Sequence, residues 1–249
     1  MFLIDVSVIY VMKLNFGGKI PLTTVDWPGK PCMSIYFRGC NFRCPYCHNH
    51  DILEGLDEIK ISKVVEEVEE SARYIEGVNV SGGEPTVQIE VLMHLARRVK
   101  DLDLGFGLQT NGYYPDRVLR LVESGLVDYI SLDIKAPLDN EELYSEVAGV
   151  EVDTDRIKET LNTLIDFNGE REVTTTLFRG KVGREEVNRV VNDLKDIRYV
   201  LQQGRPESAM QMEYRDIEKF TREELIEIAK KIDYPEILIR TFERGEEII

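Results

Sequence analysis

Gly39-Cys40-Asn41-Phe42-Arg43-Cys44-Pro45-Tyr46-Cys47-His48-Asn49 carries three of the chain's four cysteines in Cys-x3-Cys-x2-Cys spacing. Thiolates so spaced suit three corners of a [4Fe-4S] cube and leave one iron without a protein ligand. An open metal position is where chemistry occurs; a closed one is usually structural. The competing reading is a structural zinc site with His48 or His50 as fourth ligand, since Cys3His sites are common. The remaining cysteine, Cys32, reads as a small buried hydrophobe.

Outward from this loop, short β-branched runs alternate with amphipathic helical runs. Met33-Ser34-Ile35-Tyr36-Phe37 is a strand leading into the cysteines. Val64, Val65, Val68 and Ala72 share a helical face, with Ser62 as candidate N-cap. Val78-Asn79-Val80 is a second strand, stopped by Ser81-Gly82-Gly83-Glu84-Pro85, and a helix with Ile89, Leu92, Ala96 and Val99 on one stripe follows. A strand from Leu104 to Gln109 is cut by Thr110-Asn111-Gly112; Pro115 and Gly125 suit the start and stop of the next helix. Val127 to Ile134, Glu172 to Leu177, Ile197 to Leu201 and Ile237 to Ile239 are further strands. Between them lie helices marked by Ile157, Leu161 and Leu164, by Val187, Val190 and Leu194, and by a Thr221/Glu224 capping box.

Such alternation builds a mostly parallel sheet with right-handed crossovers. Roughly six units is fewer than the eight of a closed barrel, so the expected fold is α/β, a partial (β/α)6-type open barrel. Reactive groups then gather at the C-terminal strand ends. No repeat, low-complexity run or linker divides the chain. The expected organisation is residues 1–16 as an N-terminal extension, with Met12 a candidate start, and 17–249 as one domain.

The 249 residues can bury a full core, and 43% hydrophobic with 31% charged residues describes an ordinary globular protein. With 46 acidic against 31 basic residues the net charge is −15. That charge disfavours bulk nucleic-acid or anionic-membrane binding. Cysteines clustered at metal-ligand spacing, with none to spare for a disulfide scaffold, point to a reducing, cytoplasmic compartment.

Each strand end carries candidate chemistry. Gly82 and Gly83 permit close approach of a ligand, and the exposed polar groups there can bond an ammonium. Asp133 and Lys135 share one strand face; they read as a ligand site or as a salt-bridged pair. Tyr46 can cover a cluster and stack on a base, or merely pack the loop. His94, within a helix, reads as a surface or satisfied core residue.

The cysteine spacing, with an aromatic before the last cysteine, resembles the radical S-adenosylmethionine (SAM) superfamily. Gly-Gly-Glu-Pro, Thr-Asn-Gly and Asp-Ile-Lys fall at the strand ends where that superfamily has similar motifs. The lead-in Gly18-Lys19-Ile20-Pro21-Leu22-Thr23-Thr24-Val25-Asp26-Trp27-Pro28-Gly29-Lys30 is most similar to activating enzymes of glycyl-radical enzymes, and among them to anaerobic ribonucleoside-triphosphate reductase activating proteins. The resemblance implies an oxidoreductase with a [4Fe-4S] cluster on Cys40, Cys44 and Cys47. It implies SAM contacts from Tyr46, Cys47, His48, Gly82, Gly83, Glu84, Gln109, Asn111, Asp133, Ile134, Lys135 and Gln203, with no catalytic side chain beyond cluster and SAM. Gln109 stands where activating enzymes tend to carry an acidic residue, and Gln203 near where they present a histidine. SAM cleavage at the reduced cluster would yield a 5′-deoxyadenosyl radical that takes hydrogen from a glycine Cα of a partner enzyme. The electron would come from a ferredoxin- or flavodoxin-like donor. No cysteine follows Cys47, which disfavours a cysteine-ligated auxiliary cluster. A radical SAM enzyme acting on a small molecule or nucleoside, and a non-catalytic metal-binding module, are the alternatives.

Overall fold

A computed structural model describes residues 12–249. They group into two compact units, one of residues 12–41, 51–110 and 120–130, the other of 42–50, 111–119 and 131–249.

In the first unit the strands are β1 (Lys13–Thr23), β2 (Cys32–Phe37), β3 (Glu58–Lys60), β4 (Gly77–Gly82) and β5 (Gly105–Thr110), in the order β3-β1-β2-β4-β5. β2, β4 and β5 are parallel, while β1 runs antiparallel to β2 and β3. Two helices, α1 (Ile61–Ser71) and α2 (Ile89–Lys100), supply the crossovers. They bury most of the expected stripes, Val64, Val65 and Val68 on α1 and Leu92, Ala96 and Val99 on α2, while Ala72 caps α1 and, like Ile89, is half-buried. Each of these valines and Leu92 contributes about 1.5–3 kcal/mol by leaving water. α1 begins at Ile61 straight out of β3, so Ser62 lies inside the helix and Lys60 holds the N-cap position without a side-chain bond. β1 likewise starts within the stretch read as an extension, because Leu14 is fully buried and Lys13–Asn15 pair with β3; residues 1–11 lie outside the described residues.

Trp27 closes the lower part of this unit. A Cβ on Gly77, Gly105 or Gly107 would stand 2.8, 2.9 or 3.1 Å from its ring, and the opposite partner is Tyr129, stacked at 5.2 Å.

Helix α3 (Pro115–Glu123) and strand β6 (Tyr129–Asp133) each divide between the units. The second unit continues through α4 (Glu141–Ala148), α5 (Thr154–Asp166), β7 (Glu170–Leu177), α6 (Arg184–Val190), β8 (Arg198–Gln203), α7 (Met212–Arg215), α8 (Arg222–Ala229), β9 (Ile237–Thr241) and β10 (Gly245–Ile248). Its strand order is β6-β7-β8-β9-β10, with β7, β8 and β9 parallel and β10 turned back antiparallel on β9. The chain is thus α/β with mostly parallel strands, as expected. Among the described residues no helix is long and apolar enough to cross a membrane.

Candidate active site

Every motif singled out in the sequence lies at or just past a strand's C-terminal end. β2 runs into Cys40, β4 ends at Gly82, β5 at Thr110, β6 at Asp133 and β8 at Gln203.

In the first unit, parallel pairing sets Phe37 beside Gly82. The two strand ends then stay joined, Gly83 N donating to Phe37 O at 2.8 Å and Glu84 N to Gly39 O at 2.8 Å. A Cβ on Gly83 would lie 2.1 Å from Gly39 O and 3.3 Å from Cys40 Cβ, so only glycine lets the two backbones meet here. Gly82 has φ +118°, and its missing Cβ would strike Phe37 backbone at 2.4 Å. Glu84, almost fully buried, accepts from Thr86 N at 3.0 Å and Thr110 Oγ1 at 2.8 Å. Its carboxylate braces the ends of β4 and β5 together.

In the second unit the loop from Phe42 to Cys47 is held from several sides. Arg43 N donates to Ala148 O at 2.9 Å, at the C-terminus of α4. Gly149 follows with φ +69°, where a Cβ would stand 2.0 Å from Arg43 O. Cys47 N donates to Cys44 O, and Gln211 N to Pro45 O, each at 2.9 Å. Lys135 Nζ, on a side chain only 8% exposed, is 2.6 Å from Asp133 Oδ2 and 5.7 Å from the Tyr46 ring centre. The strand alternation therefore does join Asp133 and Lys135, as an ion pair. Burial works against the Lys135 charge, yet Asp133, the Cys44 thiol and the Tyr46 phenol outweigh it and hold the ammonium well above the usual lysine range. Burial pushes the Cys44 thiol up to about 11 while Lys135 pulls it down. Cys47 is raised chiefly by burial too.

Other sequence candidates are engaged elsewhere. Gln109 Nε2 donates to Asp26 O at 3.1 Å. Asn111 Oδ1 accepts from Tyr113 N at 3.0 Å, closing the turn after β5. Ile134 is a core residue: its side chain is buried, its N donates to Thr174 O at 3.0 Å, and its O accepts from Thr175 Oγ1 at 2.8 Å. Gln203 is fully buried, with Nε2 donating to Phe220 O at 2.7 Å and Oε1 accepting from Phe242 N at 3.1 Å. The backbone of Ile134 and the carboxamide of Gln203 thus have their partners within the protein. His48 is exposed.

Sequence reasoning missed Gly149, Gln211, Phe178 and Tyr214. The first was readable as a glycine ending a helix; the others carry no local signature.

The residues fit an iron–sulfur cluster on donor chemistry. None of the four cysteines is in a disulfide, so the three of the motif have thiols to offer as ligands. Among the described residues no group of three His, Cys, Asp or Glu side chains is positioned to hold a metal ion.

The radical SAM superfamily model matches residues 34–194. A relative in Methanocaldococcus jannaschii, named "Putative glycyl-radical enzyme activating enzyme", is 30% identical over 246 residues, 95% of this chain and 100% of that protein. Pyruvate formate-lyase 1-activating enzyme of Escherichia coli K12 is 32% identical over 136 residues, 51% of this chain and 53% of its own length. Among solved structures, a radical SAM methyltransferase from Sphaerobacter thermophilus superposes with TM-score 0.66 at 16% identity, over 86% of this chain and 67% of that one. TYW1 with a lysine-pyruvate adduct gives 0.65 at 15% identity, over 86% and 77%; both likenesses show the fold. The chain belongs to the radical SAM superfamily and, within it, to the family of glycyl-radical-enzyme activating enzymes.

Proposed function

We propose that this protein reductively cleaves SAM at a [4Fe-4S] cluster on Cys40, Cys44 and Cys47 and installs a glycyl radical on a partner enzyme, an anaerobic ribonucleotide reductase. The observation that carries the activating role is the end-to-end match to a relative named for it. The reductase partner rests on the lead-in motif from Gly18 to Lys30.

When bound, cluster and SAM supply a carbon-centred radical strong enough to take hydrogen from a glycine Cα. The chain's own work is to bind, orient and keep water out. Cys40, Cys44 and Cys47 ligate iron. Lys135, fixed by Asp133, offers a buried cation to an anionic cofactor group. Gly82 and Gly83 let the β2 and β4 ends meet, where polar groups of the strand end would bond the amino group of SAM, and Tyr46 covers the loop between two ligands. A ferredoxin- or flavodoxin-like protein supplies the electron. Pyruvate formate-lyase is the second candidate partner, favoured by the match to its activating enzyme.

The test is electron paramagnetic resonance of the anaerobically reconstituted, reduced protein mixed with SAM and each candidate partner. A stable glycyl doublet on the ribonucleotide reductase is expected. A doublet only on the lyase reassigns the partner. 5′-Deoxyadenosine without any doublet moves the substrate to a small molecule or nucleoside. Stoichiometric zinc without iron would reduce the protein to a metal-binding module.

A further inference from the structure

Tyr46, between the second and third cysteines of the motif, is 8% exposed, and its ring is covered from within the second unit. Phe178 lies at 4.9 Å between centroids and Tyr214 at 6.2 Å, while Phe178 and Tyr214 meet edge-on at 5.7 Å. We propose that Phe178 and Tyr214 are positioning residues for the iron–sulfur cluster, clamping Tyr46 so that the loop bearing Cys44 and Cys47 keeps a ligating shape. The proposal rests on the cysteine assignment given under Proposed function.

The loop's backbone is tied at Arg43, at Pro45 and across Cys44 and Cys47. Pro45 has no N–H, and its carbonyl accepts from Gln211 N at 2.9 Å. Cys47 N donates to Cys44 O at 2.9 Å, and Tyr46 between them is held besides by its ring.

Both clamp residues are set rigidly. Phe178 N donates to Val182 O at 3.0 Å and Val182 N back to Phe178 O at 2.9 Å, closing a tight turn after β7. Gly204 leaves room for the Phe178 ring, since a Cβ there would lie 2.7 Å from it. Tyr214 stands on α7, and its N donates to Gln211 O at 3.1 Å. The same short segment thus grips Pro45 through backbone and Tyr46 through a ring. The Tyr214 hydroxyl, buried, has no hydrogen-bond partner among the described residues. The ring is what Tyr214 brings to Tyr46.

Outer groups that hold metal ligands in place typically change metal retention by about 10–100-fold when removed. The full-length protein is reconstituted anaerobically and mixed with a ferrous-iron chelator, and bleaching of the cluster is timed without SAM. Tyr214→Ala and Phe178→Ala should each speed iron loss about tenfold, with a shifted cluster reduction potential. Tyr214→Phe, which keeps the ring, should restore both. Phe167→Ala removes a buried aromatic at the end of α5 and should lower thermal stability without changing iron loss. Equal rates for wild type and Tyr214→Ala would overturn the clamp, as would the same acceleration in Phe167→Ala. Should Tyr214→Ala not fold, Tyr214→Leu replaces it, and an unchanged rate there overturns the proposal equally. A wild-type protein that forms no cluster instead sinks the cysteine assignment, and the clamp with it.

Discussion

At the end of β8 the carboxamide of Gln203 ties two backbone groups, the carbonyl of Phe220 and the N–H of Phe242, inside the core. A chain position near a strand end suggests a ligand contact, but the direction of a side chain is set by what packs around it. Gln203→Ala should therefore cost about 2–4 kcal/mol of stability, the penalty for two unsatisfied buried groups and a small cavity. SAM affinity of the loaded protein should stay unchanged. Denaturant unfolding and equilibrium SAM binding check the two halves; weaker SAM binding at full stability would restore a nucleotide-facing role. Gly83 is a related case. The motif suggested close approach of a ligand, and the structure shows close approach of backbone, a Cβ there standing 2.1 Å from Gly39 O.

Helix α8 is the element most fully written in its own sequence. Thr221 and Glu224 form the expected reciprocal box, Thr221 N donating to Glu224 Oε2 at 2.8 Å and Glu224 N to Thr221 Oγ1 at 3.3 Å. The Arg179 guanidinium on Glu224, with the Thr221 bonds, holds its carboxyl down to about 2 from an ordinary 4.5. A depressed carboxyl adds stability above its unfolded pKa and loses it as pH falls through the folded one. Glu224→Gln should accordingly cost about 0.5–1 kcal/mol at neutral pH, kept small because the group is half-exposed and screened. The gap between variant and wild type should close as pH drops from 4.5 toward about 2; thermal melts over that range measure it. By contrast, β1 and β10 escaped notice. β1 contains two glycines and a proline with register shifts on both sides of Ile20, so no alternation survives to mark a strand.

Across the whole molecule, charge is distributed very unevenly in energetic terms. Most ion pairs are exposed and contribute little, but Glu172 is buried and bound by Arg240 Nη2 at 3.0 Å, with Ser131 Oγ donating at 3.1 Å. Arg240 also reaches Glu246 at 2.6 Å, so one guanidinium links β7, β9 and β10. Arg240→Met should destabilise the protein by about 3–5 kcal/mol, because it leaves a buried carboxylate unpaired. Chemical denaturation would show it, and a double variant with Glu172→Gln should recover much of the loss. These partners are 68 residues apart in the chain, and nothing local in either position announces the other.

The sequence alone determined the α/β alternation, the three-cysteine loop and the placing of motifs at strand ends. Those features depend on periodicity, spacing and turn chemistry, all of which act over a few residues. Only the tertiary structure decided which candidates have their polar groups or rings engaged by partners distant in sequence. Gln203, Ile134 and Gln109 found backbone partners, and Tyr46 was covered by Phe178 and Tyr214, whose positions lie more than a hundred residues away. Buried polar groups must be satisfied and buried rings must be packed by whatever the fold brings near. That choice depends on three-dimensional neighbours, which a linear pattern does not encode.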